Sequence, residues 1–188
     1  RLFIGELALD GSLRHVRGAL PIAHLASRKN LSLVLPEANA REASFLENAS
    51  IFTARSLKEV IQWIRGEDEL RKVSGFWNTH EPHDEVRGEC DFSEVKGQFH
   101  AKRAAEIASS GMHNLILIGP PGAGKTMIAR RIPTILPELS RSEFLDIAKI
   151  YSAAGLIHDE TPGILKRPFR TPHHTVSQIG LVGGGSIP

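Results

Sequence analysis

A chain of 188 residues can hold one large domain or two small ones around a buried core, and its 41% hydrophobic and 23% charged residues exclude a disordered or fibrous protein. A formal net charge of +2 is too small to argue for a nucleic-acid partner by itself, so any basic footprint must come from local clustering. The single cysteine, Cys90, excludes an intrachain disulfide and suits a reducing cytoplasm, and no apolar run approaches the length of a membrane span or forms a leader. The sequence opens at Arg1 without methionine and closes just after Gly183-Gly-Gly185, which reads as part of a longer protein.

In chain order, Leu2 to Leu9 alternates imperfectly and ends in Asp10-Gly11, a hairpin turn signal, so a strand turning into Leu13 to Arg17 is expected. Leu20, Ala23, Leu25 and Ala26 after Gly18 predict a helix closing at Arg28-Lys29-Asn30, where basic side chains suit a helix C-terminus. Leu31 to Leu35 predicts a buried strand stopped by Pro36, Ala40 to Asn48 a second helix, and Ile51 to Thr53 a short strand. Ser56 and Glu59 have capping-box spacing ahead of Val60, Ile61, Trp63 and Ile64, which predicts a last helix to about Arg65 before Gly66. Strands and helices alternate over residues 1–65, so this segment reads as α/β or α+β.

Residues 66–90 change character. Polar, charged and turn-forming residues dominate without a period, so this stretch reads as an interdomain linker, with Phe76 and Trp77 pinning it to a neighbouring surface. His80, His83 and Cys90 match no zinc spacing.

Asp91-Phe-Ser-Glu-Val-Lys-Gly97-Gln98 opens a second domain, residues 91–188, and Ala101, Ala104, Ala105, Ile107 and Ala108 predict a helix stopping at Ser110-Gly111. Leu115-Ile-Leu-Ile118 predicts a strand, followed by Gly119-Pro120-Pro121-Gly122-Ala123-Gly124-Lys125-Thr126 and the start of an amphipathic helix at Met127. The spacing fits G-x-x-x-x-G-K-[ST], the loop that wraps a triphosphate. Such a loop needs main-chain N–H groups close to the phosphates, at φ values or approach distances that a Cβ would block, so the glycines have a stated purpose. Lys125 would reach the β- and γ-phosphates as the catalytic cation, and the Thr126 hydroxyl would ligate Mg²⁺. Beyond the loop, Pro133 and Pro137 break the helix, and Ser140 caps a further one through Phe144, Leu145, Ile147, Ala148 and Tyr151 up to Gly155. Lys166, Arg167, Arg170, His173 and His174 form the densest positive cluster, which could face phosphate or be a solvated loop.

Three stretches together resemble the magnesium-chelatase-related AAA+ ATPases of the ComM/YifB type: Asp91 to Gln98, His113 to Thr126, and Arg167 to His174 followed by Gly180 to Pro188. Gly5 to Gly18 and Leu33 to Pro36 resemble the C-terminal half of a Lon-type protease domain, of the ribosomal S5 domain 2-like α+β fold. The resemblance implies an α/β protein: part of a Lon-like domain, a linker, and the first part of a P-loop AAA+ module with a parallel sheet. By it, Val95, Gly97 and Gln98 line an adenine pocket and Gly119 to Met127 hold ATP, with Mg²⁺ on Thr126. Gln178 to Pro188 begin a hairpin toward a ring channel, and the acidic metal- and water-binding motif, the sensor and the arginine finger do not follow within the chain. The implied assembly is a ring, typically hexameric, acting on DNA in branch migration or natural transformation. Leu20 stands where a Lon-type domain places its dyad lysine, and leucine cannot take a serine proton. A chelatase motor for metal insertion into a tetrapyrrole, an ATP-dependent protease, and a nucleotide-binding module without turnover are the alternatives.

Overall fold

Leu33-Val34-Leu35 is apolar on both sides of the chain, the pattern of a strand covered on two faces, and it becomes the middle of a sheet. The computed structural model describes residues 1–47, 49–75, 91–157, 167–173, 175–177, 180 and 183. They belong to two compact units, Arg1–Val86 with Leu139–Leu165 and Arg87–Glu138 with Lys166–Pro188.

In the first unit, β1 (Leu2–Phe3), β4 (Leu33–Pro36) and β5 (Ile51–Ala54) run parallel, and β6 (Arg71–Lys72) adds antiparallel to β5. The register pairs Leu33 with Ile51 and Leu35 with Thr53. β2 (Glu6–Leu7) and β3 (Leu13–Arg14) form the expected hairpin, so the first predicted strand is divided between two sheets. Its turn is held by Asp10, whose carboxylate accepts from the Ser12 hydroxyl at 2.6 Å and the Ser12 N–H at 3.0 Å. β6 lies in the stretch read from sequence as linker, while residues 76–90, with Phe76, Trp77, His80, His83 and Cys90, lie outside the described residues.

Alternation along β4 divides the core. Leu33 and Leu35 join Ile51 beneath helix α1 (Ala19–Arg28), whose Leu20, Ala23 and Ala26 are buried. Val34 turns to the other face, where it meets Ala54 of β5 and Val60 of helix α3 (Leu57–Arg65). The Ser56 hydroxyl caps α3 by accepting from Glu59 N, whereas the Glu59 carboxylate accepts from Arg55 N at 2.8 Å, one residue earlier than a full capping box. Gly66, at φ 75°, closes that helix as the sequence indicates. The helix predicted over 40–48 is shorter: a 3₁₀ turn at Glu37–Asn39 leads into α2 (Ala40–Ala43), after which the Ser44 hydroxyl donates to Arg41 O and the chain turns. Asn39, 1% exposed, explains the turn: its side-chain amide donates to Val16 O and accepts from Val16 N.

Helix α6 (Arg141–Ala153) follows the glycine-rich loop in sequence yet packs within the first unit. Phe144, Ala148 and Ser152 recur every fourth residue and are buried, giving α6 one inward face. Ser152 accepts from Leu20 N through its hydroxyl and from Gly18 N through its carbonyl, so it caps the start of α1. Phe144 meets Phe45 edge to face at 5.1 Å. The Ser140–Glu143 capping box is complete.

In the second unit, Asp91 caps a 3₁₀ turn at Phe92–Glu94, followed by α4 (Phe99–Gly111) and α5 (Lys125–Arg131), which tightens into a 3₁₀ turn at Ile132–Ile135. Phe92, Val95, Ala105 and Ile128 form its core. α4 runs through Gly111, and Met112 takes the left-handed conformation one residue later than predicted. The strand predicted over 115–118 is not formed. A strand exists only with a neighbour to share its ladder, and none pairs with this stretch among the described residues. Its alternation survives: Leu115 and Leu117 pack on the core, whereas Ile116 and Ile118 are 80% and 91% exposed. The parallel pairing in the described residues therefore lies in the first unit.

Phe144→Ala should cost the first unit about 3–5 kcal/mol, the usual loss for emptying an aromatic core position. Chemical denaturation of the variant measures it, and a loss below about 1 kcal/mol would remove Phe144 from the core.

Candidate functional site

Residues 119–126 form an exposed turn that runs straight into α5. Gly122 and Gly124 have φ of 79° and 83°, the left-handed region that side chains with a Cβ rarely adopt. Ala123 N donates to Pro120 O at 3.3 Å to close the turn, and Ile128 N donates to Gly124 O at 2.9 Å as the first bond of the helix. No side chain caps α5, so the N–H groups of its first turn have no partner within the helix. Nothing lies within 4 Å of the place a Gly122 Cβ would take, so the loop is open there.

Lys125 folds back into the turn. Its Nζ donates to Gly119 O and to Pro120 O, each at 2.7 Å. The ammonium is thus held by two uncharged oxygens at the mouth of the turn. Thr126 and Met127 are exposed beside it.

Of the residues assigned to a base pocket, Gln98 reaches the loop: its Nε2 donates to Ala123 O at 3.3 Å. Gly97 precedes it at φ 63°. Val95 is 2% exposed and packs with Phe92, Ala105 and Ile128, behind α5. The structure therefore gathers Gln98, Ala123 and Lys125 around one turn and puts Val95 in the supporting core.

Sequence reasoning missed what anchors this arrangement. Arg131 at the end of α5 donates from Nε to Asp91 O at 3.1 Å, from one terminal nitrogen to the Glu94 carboxylate at 2.7 Å, and from the other to Met127 O at 3.2 Å. Phe92 N donates to the Thr134 hydroxyl at 3.1 Å, which in turn donates to Arg131 O at 2.8 Å. Partners some forty residues apart leave no periodic signal, and a basic side chain at a helix C-terminus reads equally well as a dipole partner. The hydrogen bond from Ser93 holds the Asp91 carboxyl below the usual aspartate range, with Arg131 adding to the effect.

The basic run is only partly described. Arg167 donates to Pro137 O at 2.6 Å and to Glu138 O at 3.4 Å, and the His173 ring meets the Thr175 hydroxyl at 2.7 Å. Lys166, His174, and Gln178 to Pro188 apart from Gly180 and Gly183 lie outside the described residues. Among the described residues no three His, Cys, Asp or Glu side chains gather as a metal site, and no helix is long and apolar enough to cross a membrane.

Known proteins share this sequence. A family model described as magnesium chelatase, subunit ChlI, matches residues 91–188, and a second, subunit ChlI of Mg-chelatase, matches residues 1–39. The chain belongs to the magnesium chelatase ChlI family. Within it the chain is of the ComM/YifB type. It is 38% identical over 188 residues to competence protein ComM of Haemophilus influenzae, covering 99% of this chain and 36% of that one. It is 39% identical over 187 residues to the uncharacterized protein YifB of Salmonella typhimurium, covering 98% and 35%. An archaeal Lon protease of Archaeoglobus fulgidus is 31% identical over 78 residues, 42% of this chain and 13% of its own. The chain thus spans about a third of the ComM and YifB relatives it matches.

A carboxyl held low in the folded state stabilises above its unfolded value, and that stabilisation is lost as pH falls through the lower, folded value. Asp91→Ala should therefore lower the melting temperature at neutral pH, and the difference from wild type should shrink as pH drops below 3.8, the ordinary aspartate value. Thermal melts at a series of pH values test this, and a difference independent of pH would contradict it.

Proposed function

We propose that the turn from Gly119 to Thr126 binds the phosphates of ATP, in a ring-forming AAA+ ATPase that works on DNA. The observation that carries this reading is the turn itself: Gly122 and Gly124 at positive φ, an uncapped helix start, and the Lys125 ammonium inside the bend. The residues fit the group. The donors are main-chain N–H groups, one ammonium and one hydroxyl, a set suited to phosphate oxygens, and Gly122 leaves room for them. Lys125 would exchange its two carbonyl partners for phosphate oxygens, and the Thr126 hydroxyl would supply one oxygen ligand to Mg²⁺. With ATP bound, in-line attack of water on the γ-phosphate would draw its rate from positioning and charge neutralisation. Arg131 and Thr134 keep α5 seated on the Asp91–Glu94 turn while Lys125 moves.

Charge supports a polyanionic partner for the second unit. Its sequence holds ten Lys and Arg against five Asp and Glu, whereas the first unit holds thirteen against sixteen. One relative, moreover, is named for competence. We read the first unit as a Lon-like domain without proteolysis: Leu20, aligned by resemblance with the dyad lysine, is 0% exposed, with its N–H on Ser152. The tetrapyrrole-chelatase alternative is less well supported, because competence protein ComM and YifB are among the relatives that span nearly all of this chain.

ATP and Mg²⁺ at a hundred times the Kd should raise the stability of the full-length protein by about 2.7 kcal/mol, and Lys125→Ala should abolish most of that rise together with ATP turnover. Thermal melts with and without nucleotide check it; an unchanged rise in the variant would place the nucleotide elsewhere. ATPase activity of the full-length protein should increase with branched, duplex or single-stranded DNA and lose that increase steeply with added salt. Absence of any salt-sensitive DNA response would end the DNA reading. The 188-residue chain alone should show weak nucleotide binding and negligible turnover; multiple turnover by it would contradict the need for further residues.

A further inference from the structure

We infer that Gln98 is a positioning residue for the phosphate loop: by holding the Ala123 carbonyl it fixes the direction of the Gly124 N–H. The inference rests on the nucleotide-binding reading above and assigns Gln98 a different task from a contact to the base.

Three described residues other than glycine have positive φ: Asn30, Gln98 and Met112. Asn30 and Met112 follow helix ends, the ordinary place for a left-handed residue. Gln98 precedes a helix instead, at φ 53° and ψ 38°, and its side chain makes no cap to α4. Its amide goes 25 residues along the sequence to Ala123 O. An unusual backbone conformation is thus coupled to one long-range side-chain contact, and that contact lies in the loop.

The peptide between Ala123 and Gly124 is the one that needs such a tether. Its plane turns about ψ of Ala123 and φ of Gly124, and Gly124, at φ 83° and without a Cβ, offers that rotation little steric resistance. In a trans peptide the C=O and the following N–H point in opposite directions. With the Ala123 oxygen drawn toward Gln98, the Gly124 N–H is turned away from Gln98. A flipped peptide would present a carbonyl oxygen where an anion requires a donor.

The tether starts from a fixed platform. Phe92 and Val95 are buried against Ile128 of α5, Arg131 grips Asp91 O and the Glu94 carboxylate, and Lys102 donates to Val95 O at 3.1 Å. The segment carrying Gln98 is therefore bolted to the helix that the loop leads into, and Gln98 spans the remaining gap.

The test uses the full-length protein, wild type and Gln98→Ala, with binding of ATP and of inorganic tripolyphosphate measured by calorimetry in Mg²⁺. Loss of one hydrogen bond that orders a donor should weaken both ligands by a similar factor, roughly five-fold, with the melting temperature of the apo protein unchanged. Gln98→Glu, which replaces the donor with an acceptor facing a carbonyl, should weaken both further. A loss for ATP with tripolyphosphate unaffected would make Gln98 a base contact and overturn the inference, as would unchanged binding of both. Wild type that binds neither ligand would sink the nucleotide reading itself, and this inference with it.

Discussion

A peptide group carries a donor on one side and an acceptor on the other, and the proposed phosphate site depends on which side the peptides of residues 119–124 turn inward. Left alone, a loop of glycines and prolines has several carbonyl oxygens to satisfy, and an anion site cannot tolerate them facing its ligand. Here three of those oxygens are taken by side chains: Gly119 and Pro120 by Lys125, Ala123 by Gln98. The N–H of Ala123 closes the turn on Pro120 O, and those of Gly122 and Gly124 are left for something else. The same rule operates in the first unit, where Ser152 accepts the first free N–H groups at the start of α1, and Asn39 satisfies both main-chain groups of Val16.

Much of this was legible from local chemistry. The hairpin at Asp10-Gly11, the Ser56 and Ser140 caps, the Gly66 stop and the glycine-rich turn each depend on a few neighbouring residues, and each is found where the pattern puts it. What was not legible depends on distant partners. Arg131 and Asp91, Gln98 and Ala123, Ser152 and Leu20 meet only after the chain has folded, and no spacing announces them. The predicted strand at 115–118 differs for the same reason in reverse: its residues alternate as a strand should, but a ladder belongs to two segments and cannot be read from one.

Helix α6 shows how a local pattern can be right about an element and silent about its destination. Its cap and its Phe144–Ala148–Ser152 face follow from sequence, yet that face covers α1 of the first unit rather than the core beside the loop. Ser152 explains part of the choice. A serine inside a helix usually competes with its own backbone, but here its hydroxyl and carbonyl meet the N–H groups of Leu20 and Gly18, two of the donors α1 cannot satisfy itself. Leu20 is thereby buried with its amide occupied. A side-chain amine at that position would have to be desolvated beneath α6, at a cost far larger than leucine incurs.

Lys125 is the point where loop geometry and electrostatics converge. Its partners among the described residues are two neutral carbonyls, so its charge is oriented without being neutralised by a carboxylate. Arg131 differs, being paired with the Glu94 carboxylate, and Arg103 is paired with Glu106. A carbonyl dipole attracts an ammonium less strongly than a charged phosphate oxygen does, because the second contact is between two full charges. The present contacts therefore hold Lys125 at the mouth of the turn and, on the proposed phosphate-binding reading, are the weaker of its two partnerships. A cation held there by a carboxylate would have to break an ion pair before meeting a ligand; a cation held by carbonyls exchanges one oxygen for a better one.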